Sequence, residues 1–162
     1  SGRVADHSLD SLSALDVLGT GAGVPTLEAV LSAVPDDAGL NVELKERGLT
    51  EDLLDALASH GHEVLVSSFD DEALREVQAV SDLPLATVFD DGPDRGLDSA
   101  AALGATAVHP HWELVDEGFV ERAHERGLSV NCWTIRGAAG AERARAAGVD
   151  GIISDDPRFC RG

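Results

Sequence analysis

A short β-rich run decides the fold, the stretch Leu40-Asn41-Val42-Glu43-Leu44-Lys45. Glu43 and Lys45 lie two residues apart, and the pleat of a strand turns such a pair toward the same face. A carboxylate and an ammonium on the inner face of a buried strand are costly to desolvate unless they are paired or bind a charged ligand. Lys45 is also the only lysine of the chain, and its compact charge suits a phosphate oxygen or a metal-bound anion. The pair therefore indicates either a phosphate site or a salt bridge at a strand end.

Similar β-rich runs recur along the chain, and helical patterns separate them. The predicted strands are Leu40–Lys45, Val64–Phe69, Leu85–Phe89, Ala107–Trp112, Ser129–Thr134 and Gly151–Ser154. Their starts are about 20 to 24 residues apart, which fits one strand, one helix and two short loops per unit. Strands that alternate with helices form parallel sheets through right-handed crossovers. The sequence therefore predicts an α/β fold, an incomplete (β/α)8 barrel with about six of eight units, in a single domain over residues 1–162.

Capping residues predict where the helices begin and end. Pro25 suits the first position of a helix, and Thr50 and Asp70 suit N-caps. Apolar spacing predicts two further helices, one over residues 113–126 and an alanine-rich one over residues 138–147, each of which ends before a glycine. Gly19, Gly21 and Gly23 follow no strand, so they do not indicate a dinucleotide-binding turn.

The charge of the chain limits its partners. Thirty acidic residues against 12 basic ones give a formal net charge of -18, spread along the whole length. Nucleic acids and anionic membrane surfaces repel such a chain, so we expect neither as a partner. Dispersed acidic residues are typical of proteins from a high-salt cytoplasm, and drift in a GC-rich genome gives much of the same bias.

Targeting signals and cysteine patterns add little. No apolar run approaches the roughly 18 residues of a membrane span and no signal peptide is visible, so we expect a soluble, cytoplasmic protein. Cys132 and Cys160 predict neither a disulfide framework nor a metal site. The chain begins at Ser1 without a methionine, and we expect further residues upstream of it.

Polar and aromatic residues recur at the predicted strand ends, where the reactive groups of such barrels collect. His109 and His111 could ligate a metal together or belong to a strand-end turn. Phe69 and Phe89 could line a site or close the top of the barrel. Trp133 suits either the core or the wall of a substrate pocket.

Five blocks of the sequence together resemble one family. They are residues 24–31 (VPTLEAVL), 41–45 (NVELK), 66–69 (VSSF), 127–134 (GLSVNCWT) and 148–157 (GVDGIISDDP). All five occur in the order and at the spacing of the glycerophosphodiester phosphodiesterases, and the resemblance covers nearly the whole chain. That family is a (β/α)8 barrel that hydrolyses glycerophosphodiesters to glycerol 3-phosphate and an alcohol.

The resemblance implies roles for four residues. Glu43 would be a ligand of the divalent cation, Ca²⁺ or Mg²⁺, and Lys45 would neutralise phosphate charge. Phe69 and Trp133 would line the pocket beside the glycerol of a small phosphodiester substrate. A cation and an ammonium that face a phosphodiester stabilise the charge that builds on its oxygens as the bond to the leaving alcohol breaks.

Three family motifs are absent from the sequence. They are the His-Arg-Gly of the first strand, the Glu-x-Asp metal pair of the second and the His-Asp that follows, and His7 does not inherit the role of the last. We therefore expect no catalytic residue in this chain, an incomplete cation site, and no hydrolysis by the chain alone. The alternative is a truncated, non-catalytic relative that binds phosphate esters or serves as an interaction module. An open barrel edge also predicts self-association.

Overall fold

The computed structural model describes residues 2–35 and 37–160, so the prediction about Ser1 lies outside the described residues. The chain divides into two compact units. The first comprises Ser1–Ala38 and Leu53–His62, and the second comprises Gly39–Asp52 and Glu63–Gly162. The single domain over residues 1–162 stays a prediction.

The first unit contains short helices. They are two 3-10 turns, Val4–Asp6 and Val17–Gly19, with α1 (Leu9–Ser13) and α2 (Leu27–Ala33). The predicted helix start at Pro25 is wrong: Thr26 is the N-cap, and its Oγ1 accepts a hydrogen bond from the backbone N–H of Ala29 at 3.2 Å. In the same unit the ring of His62, through Nε2, lies 2.9 Å from the carbonyl oxygen of Leu31.

Helix α3 (Thr50–Leu57) has residues in both units. Thr50 is its first residue and not its N-cap, because the helix begins one residue earlier than predicted. The buried Oγ1 of Thr50 has no hydrogen-bond partner among the described residues. The prediction that this hydroxyl caps the helix is therefore wrong.

The second unit is built on a six-stranded parallel sheet. Its strands are β1 (Leu40–Leu44), β2 (Val64–Ser68), β3 (Leu85–Phe89), β4 (Ala107–Pro110), β5 (Ser129–Cys132) and β6 (Gly151–Ile152). Each strand pairs with the next along the chain, in the order β1 to β6. This sheet, with helices between its strands, confirms the predicted α/β fold and the incomplete (β/α)8 barrel. The predicted β1, β2, β4, β5 and β6 each extended one or two residues too far at the carboxyl end.

Four further helices connect the strands of the second unit: α4 (Asp71–Gln78), α5 (Pro93–Ala102), α6 (Glu117–His124) and α7 (Ala138–Ala146). Asp70 caps α4 as predicted, since its side chain accepts a hydrogen bond from the backbone N–H of Glu72. The helix predicted over residues 113–126 is shorter. The chain first makes a 3-10 turn at Trp112–Leu114, and Asp116 then caps α6 by accepting from the N–H of Phe119.

One face of the sheet packs on helices and carries an apolar core. Val108, Val130 and Phe119 are almost completely buried in it. Phe89 belongs to this core and not to a barrel opening, because its ring lies edge-on to that of Phe119 with 6.3 Å between centroids. Cys132 is buried here as well, and burial raises the pKa of its thiol to about 11. This face holds the strands so that their opposite face and carboxyl ends are free to form a site.

Within residues 2–35 and 37–160, no helix has the length and apolar character needed to cross a membrane.

Candidate functional site

A cavity of about 250 Å³ lies at the carboxyl ends of the strands in the second unit. Parallel pairing aligns Glu43 with Ser67, and Val88 with His109. Because side chains alternate between the two faces of a strand, these residues and those two positions away share the face that the helices do not cover. The residues that line the cavity are Asn41, Glu43, Lys45, Phe69, Val88, His109, Trp133, Thr134 and Ile153. The structure thus brings together all four residues predicted for the site, Glu43, Lys45, Phe69 and Trp133. Their individual roles stay predictions.

Glu43 and Lys45 form an ion pair at the mouth of the cavity. The ammonium contacts Oε1 of Glu43, and its Nζ also lies 5.5 Å from the centroid of the Phe69 ring. The Lys45 side chain is 70% exposed and that of Glu43 30%, so the pair stands at the end of an edge strand in contact with solvent. The salt bridge that the sequence allowed is therefore present. An exposed pair of this kind contributes only about 0–1 kcal/mol to the stability of the fold.

Two aromatic rings form a wall of the cavity. Phe69 and Trp133 pack edge to face, with 5.5 Å between their centroids. The indole Nε1 of Trp133 donates a hydrogen bond to the carbonyl oxygen of His109 at 2.8 Å, which fixes the plane of the indole. The peptide bond between Trp133 and Thr134 is cis. Trp133 is thus anchored to β4 and lines the cavity at the same time.

His109 and His111 have different surroundings, although His109 lies in β4 and His111 directly follows that strand. His109 is only 2% exposed and lines the cavity, and burial lowers the pKa of its imidazole to about 4, against an opposing influence of the Glu43 charge. His111 instead packs edge-on to Trp133, with 5.1 Å between centroids, and its Nδ1 lies 3.7 Å from Oε2 of Glu113. The buried imidazole of His109 and the partly exposed imidazole of His111 thus have different neighbours, and their joint role as metal ligands stays a prediction.

Several residues of the cavity were not predicted. Asn41, Thr134 and Ile153 line it. Asn131, one of the polar residues at the predicted strand ends, contacts His109 beside the cavity. Asn41 carried a signal, since it lies two residues before Glu43 and so shares its face. Thr134 and Ile153 carried none, because their positions depend on how the chain leaves β5 and β6.

The donor atoms of the cavity fit a divalent cation only in part. Of the described residues that line it, Glu43 is the single carboxylate. Among the described residues, no three side chains of His, Cys, Asp or Glu are grouped closely enough to hold a metal ion. Ca²⁺ and Mg²⁺ take about six or more oxygen ligands, with several carboxylates in protein sites. The described residues therefore supply one carboxylate toward such a site and not a full set of ligands.

Comparisons with known proteins agree with the resemblance of the sequence blocks. A glycerophosphodiester phosphodiesterase from Caldanaerobacter subterraneus subsp. tengcongensis is 30% identical over an alignment of 171 positions, which covers 96% of this chain and 70% of that protein. A candidate glycerophosphodiester phosphodiesterase from Galdieria sulphuraria has a solved structure that superposes with a TM-score of 0.86 at 28% identity, over 98% of this chain and 70% of that one.

A third protein has the same fold at lower identity. The structure of an Oleispira antarctica phosphodiesterase in complex with its product sn-glycerol 3-phosphate has a TM-score of 0.86 at 24% identity, over 97% of this chain and 70% of the other. The model of the glycerophosphoryl diester phosphodiesterase family matches residues 1–158. The chain therefore belongs to the glycerophosphoryl diester phosphodiesterase family, a family of enzymes that hydrolyse phosphoric diesters.

Proposed function

We propose that the cavity of the second unit binds the glycerophosphoryl half of a glycerophosphodiester, for hydrolysis to glycerol 3-phosphate and an alcohol. The observation that carries the proposal is the grouping of Glu43, Lys45, Phe69 and Trp133 around one small cavity. A volume of about 250 Å³ suits a ligand of a few heavy atoms. The Oleispira antarctica relative holds a ligand of this class, its product sn-glycerol 3-phosphate.

Lys45 is the proposed phosphate contact. Among the described residues that line the cavity, its ammonium is the only charged donor, and it is largely exposed at the mouth. A phosphate that approaches it replaces the carboxylate of Glu43 as the partner of the ammonium. The positive charge then stabilises the negative charge on the phosphate oxygens, and stabilises it further as charge builds in the transition state.

Phe69 and Trp133 are the proposed contacts for the carbon backbone of the glycerol. Their edge-to-face packing gives a firm apolar wall beside the ammonium, since Nζ of Lys45 lies 5.5 Å from the Phe69 centroid. A ligand with a charged end and a short polar chain matches this arrangement. A larger apolar ligand does not, because the mouth is occupied by charged side chains.

Glu43 is the proposed contribution of this chain to a divalent cation site for Ca²⁺ or Mg²⁺. When bound, such a cation supplies Lewis-acid stabilisation of the phosphoryl oxygens. A single carboxylate is not sufficient to hold it. Hydrolysis therefore requires carboxylate and acid–base groups beyond those of this cavity.

The isolated chain of 162 residues is proposed to bind phosphate esters without turnover. The His-Arg-Gly, Glu-x-Asp and His-Asp motifs are absent from its sequence, and general acid–base catalysis alone is worth roughly 10²- to 10⁴-fold in rate. The alternative function of a non-catalytic phosphate-ester binder rests on the same observation. It differs only in whether the remaining groups are ever supplied.

Calorimetric titration with sn-glycerol 3-phosphate tests the binding role. Lys45→Gln is expected to weaken binding by roughly 10- to 100-fold, because a charge-assisted hydrogen bond is lost. Arg95→Gln is the matched control: it changes the net charge equally, and Arg95 pairs with Asp91 outside the cavity. Equal affinities of the two variants would contradict the phosphate role of Lys45.

A turnover assay with glycerophosphocholine tests the second part. With Ca²⁺ or Mg²⁺ present, the isolated chain is expected to release no glycerol 3-phosphate. Release that EDTA abolishes would contradict this proposal and would mean that the cavity assembles a working cation site.

Self-association is proposed from the edges of the sheet. Within the described residues β1 pairs only with β2 and β6 only with β5, so each has one unpaired edge that can template another strand. Light scattering over a concentration series is expected to give a mass above 16.9 kDa. The cytoplasmic location and the high-salt origin of the acidic surface stay predictions from the sequence.

A further inference from the structure

His109 forms a specific contact with the strand beside it. Its Nε2 lies 3.2 Å from the side-chain Nδ2 of Asn131. An amide nitrogen only donates, so Nε2 must accept this hydrogen bond. The ring is then neutral and carries its proton on Nδ1. The near-complete burial of the side chain favours the same neutral form.

The amide of Asn131 occupies the space left by a glycine on the next strand. Asn131 is aligned with Gly151 in the pairing of β5 and β6. A Cβ atom on Gly151 would stand 2.2 Å from Oδ1 of Asn131, well inside any real contact. The amide can lie against β6 only because residue 151 has no side chain, and this position directs its nitrogen toward His109.

The remaining polar atom of the ring, Nδ1, is available to a ligand. Within the described chain, no hydrogen bond from Nδ1 of His109 is formed, and the ring lines the cavity. The backbone carbonyl of the same residue is engaged separately by the indole of Trp133. The neutral ring of His109 thus lines a cavity in which, among the described residues, Lys45 supplies the charged donor.

We propose that His109 is a ligand-binding residue that donates a hydrogen bond from Nδ1 to a glycerol hydroxyl, while Lys45 binds the phosphate. This inference rests on the proposed function and deepens it. The two donors bind different parts of the ligand. The ammonium of Lys45 binds the anionic phosphate, and the neutral imidazole of His109 adds affinity only for a ligand that extends beyond the phosphate. Asn131 and Gly151 act as positioning residues, since they fix which ring nitrogen carries the proton.

A comparison of two ligands tests the division. Inorganic phosphate and sn-glycerol 3-phosphate are titrated into the unaltered chain, His109→Phe and His109→Gln. His109→Phe is expected to lower the affinity for sn-glycerol 3-phosphate by about tenfold, the effect of one lost hydrogen bond. The affinity for inorganic phosphate is expected to stay unchanged. His109→Gln keeps an N–H donor and is expected to recover part of the loss.

The outcomes separate this inference from the proposed function. If His109→Phe lowers the affinities for both ligands equally, or lowers neither, then His109 does not contact the glycerol. Only this inference is then overturned. If the unaltered chain binds neither ligand, the proposed function fails and this inference fails with it. If only inorganic phosphate binds, the phosphate site stands and the glycerol contact is overturned.

The proton position is measured on the unaltered chain, so the test does not depend on whether a variant folds. Nitrogen-15 spectra of labelled histidine are expected to place the His109 proton on Nδ1. In Asn131→Asp, residue 131 has a carboxylate that can only accept a hydrogen bond from the ring. The proton of His109 is therefore expected to move to Nε2. A proton on Nε2 in the unaltered chain would overturn the assignment of the donor.

Discussion

Two adjacent serines of β2 point to opposite faces of the sheet and differ in how the chain satisfies them. Ser68 faces the helices: its Oγ donates to the carbonyl oxygen of Leu44 at 2.8 Å and accepts from the N–H of Asp70 at 3.0 Å. Ser67, aligned with Glu43 on the cavity face, is equally buried, yet its Oγ has no hydrogen-bond partner among the described residues. We infer that the helix-covered face determines stability and that the cavity face is arranged for binding.

The largest effect is expected from the core of the helix-covered face. Phe119 is 1% exposed and packs against Phe89, so Phe119→Ala removes a ring from a filled space. The substitution is expected to lower the free energy of unfolding by about 3–5 kcal/mol. Urea unfolding followed by circular dichroism measures the loss.

Val80→Ala provides the contrast for the core substitution. Val80 is 65% exposed, so its truncation is expected to change the free energy of unfolding by less than about 0.5 kcal/mol. Similar losses in the two variants would mean that the helix-covered face is not a closely packed core.

The second effect concerns a buried titratable group of the cavity face, His109. Burial lowers the pKa of its imidazole from 6.5 to about 4. Above pH 6.5 the ring is neutral in both the folded and the unfolded chain, so stability is then independent of this group. As the pH falls from 6.5 toward 4, the unfolded chain binds a proton that the folded chain does not. The free energy of unfolding is therefore expected to fall by about 3 kcal/mol from this group.

His109→Gln isolates that contribution from those of the many carboxylates. Its free energy of unfolding, measured from pH 7 to pH 4, is expected to decline less steeply than that of the unaltered chain. Parallel curves would mean that His109 takes up a proton in the folded state, which would contradict its burial as a neutral group.

The third effect tests how tightly α5 packs on the sheet. A Cβ on Gly96 would stand 2.4 Å from the ring of Phe89, whereas one on Gly118 of α6 would meet nothing closer than 3.6 Å. Gly96→Ala is expected to destabilise the fold by about 1–3 kcal/mol through overpacking. Gly118→Ala is expected to be neutral or to stabilise by up to about 1 kcal/mol, since alanine is the better helix former. Thermal unfolding distinguishes them, and a stabilised Gly96→Ala would show that Phe89 moves freely.

The sequence predicted the helix-covered face better than the site. The interval of the β-rich runs and the apolar spacing gave all six strands, because both depend on local periodicity. The strand ends were placed too far along the chain, for Lys45, Phe69 and Trp133 lie just beyond β1, β2 and β5. Pleat alternation still assigned them to one face, since the backbone stays extended for a residue or two.

Contacts between strands were beyond what the sequence could give. The hydrogen bond from Asn131 to His109 and the fit of that amide against Gly151 depend on the register of three strands. Register is fixed by packing in three dimensions and leaves no local pattern. The His-x-His spacing shows only that His109 and His111 could act as a metal pair. The neighbours that make His109 a neutral hydrogen-bonding group are not visible in the sequence.

The smallest effect on stability is expected where the effect on binding is largest. Lys45→Gln removes an ion pair whose ammonium is 70% exposed, and exposed pairs contribute little because water solvates both groups and ordering the two side chains costs entropy. The midpoint of urea unfolding is therefore expected to stay close to that of the unaltered chain, while affinity for sn-glycerol 3-phosphate falls. A marked loss of stability would contradict the division between the two faces, because Lys45 would then hold the end of β1 in place. An unchanged midpoint with lower affinity would mean that the only lysine of the chain serves the ligand and not the fold.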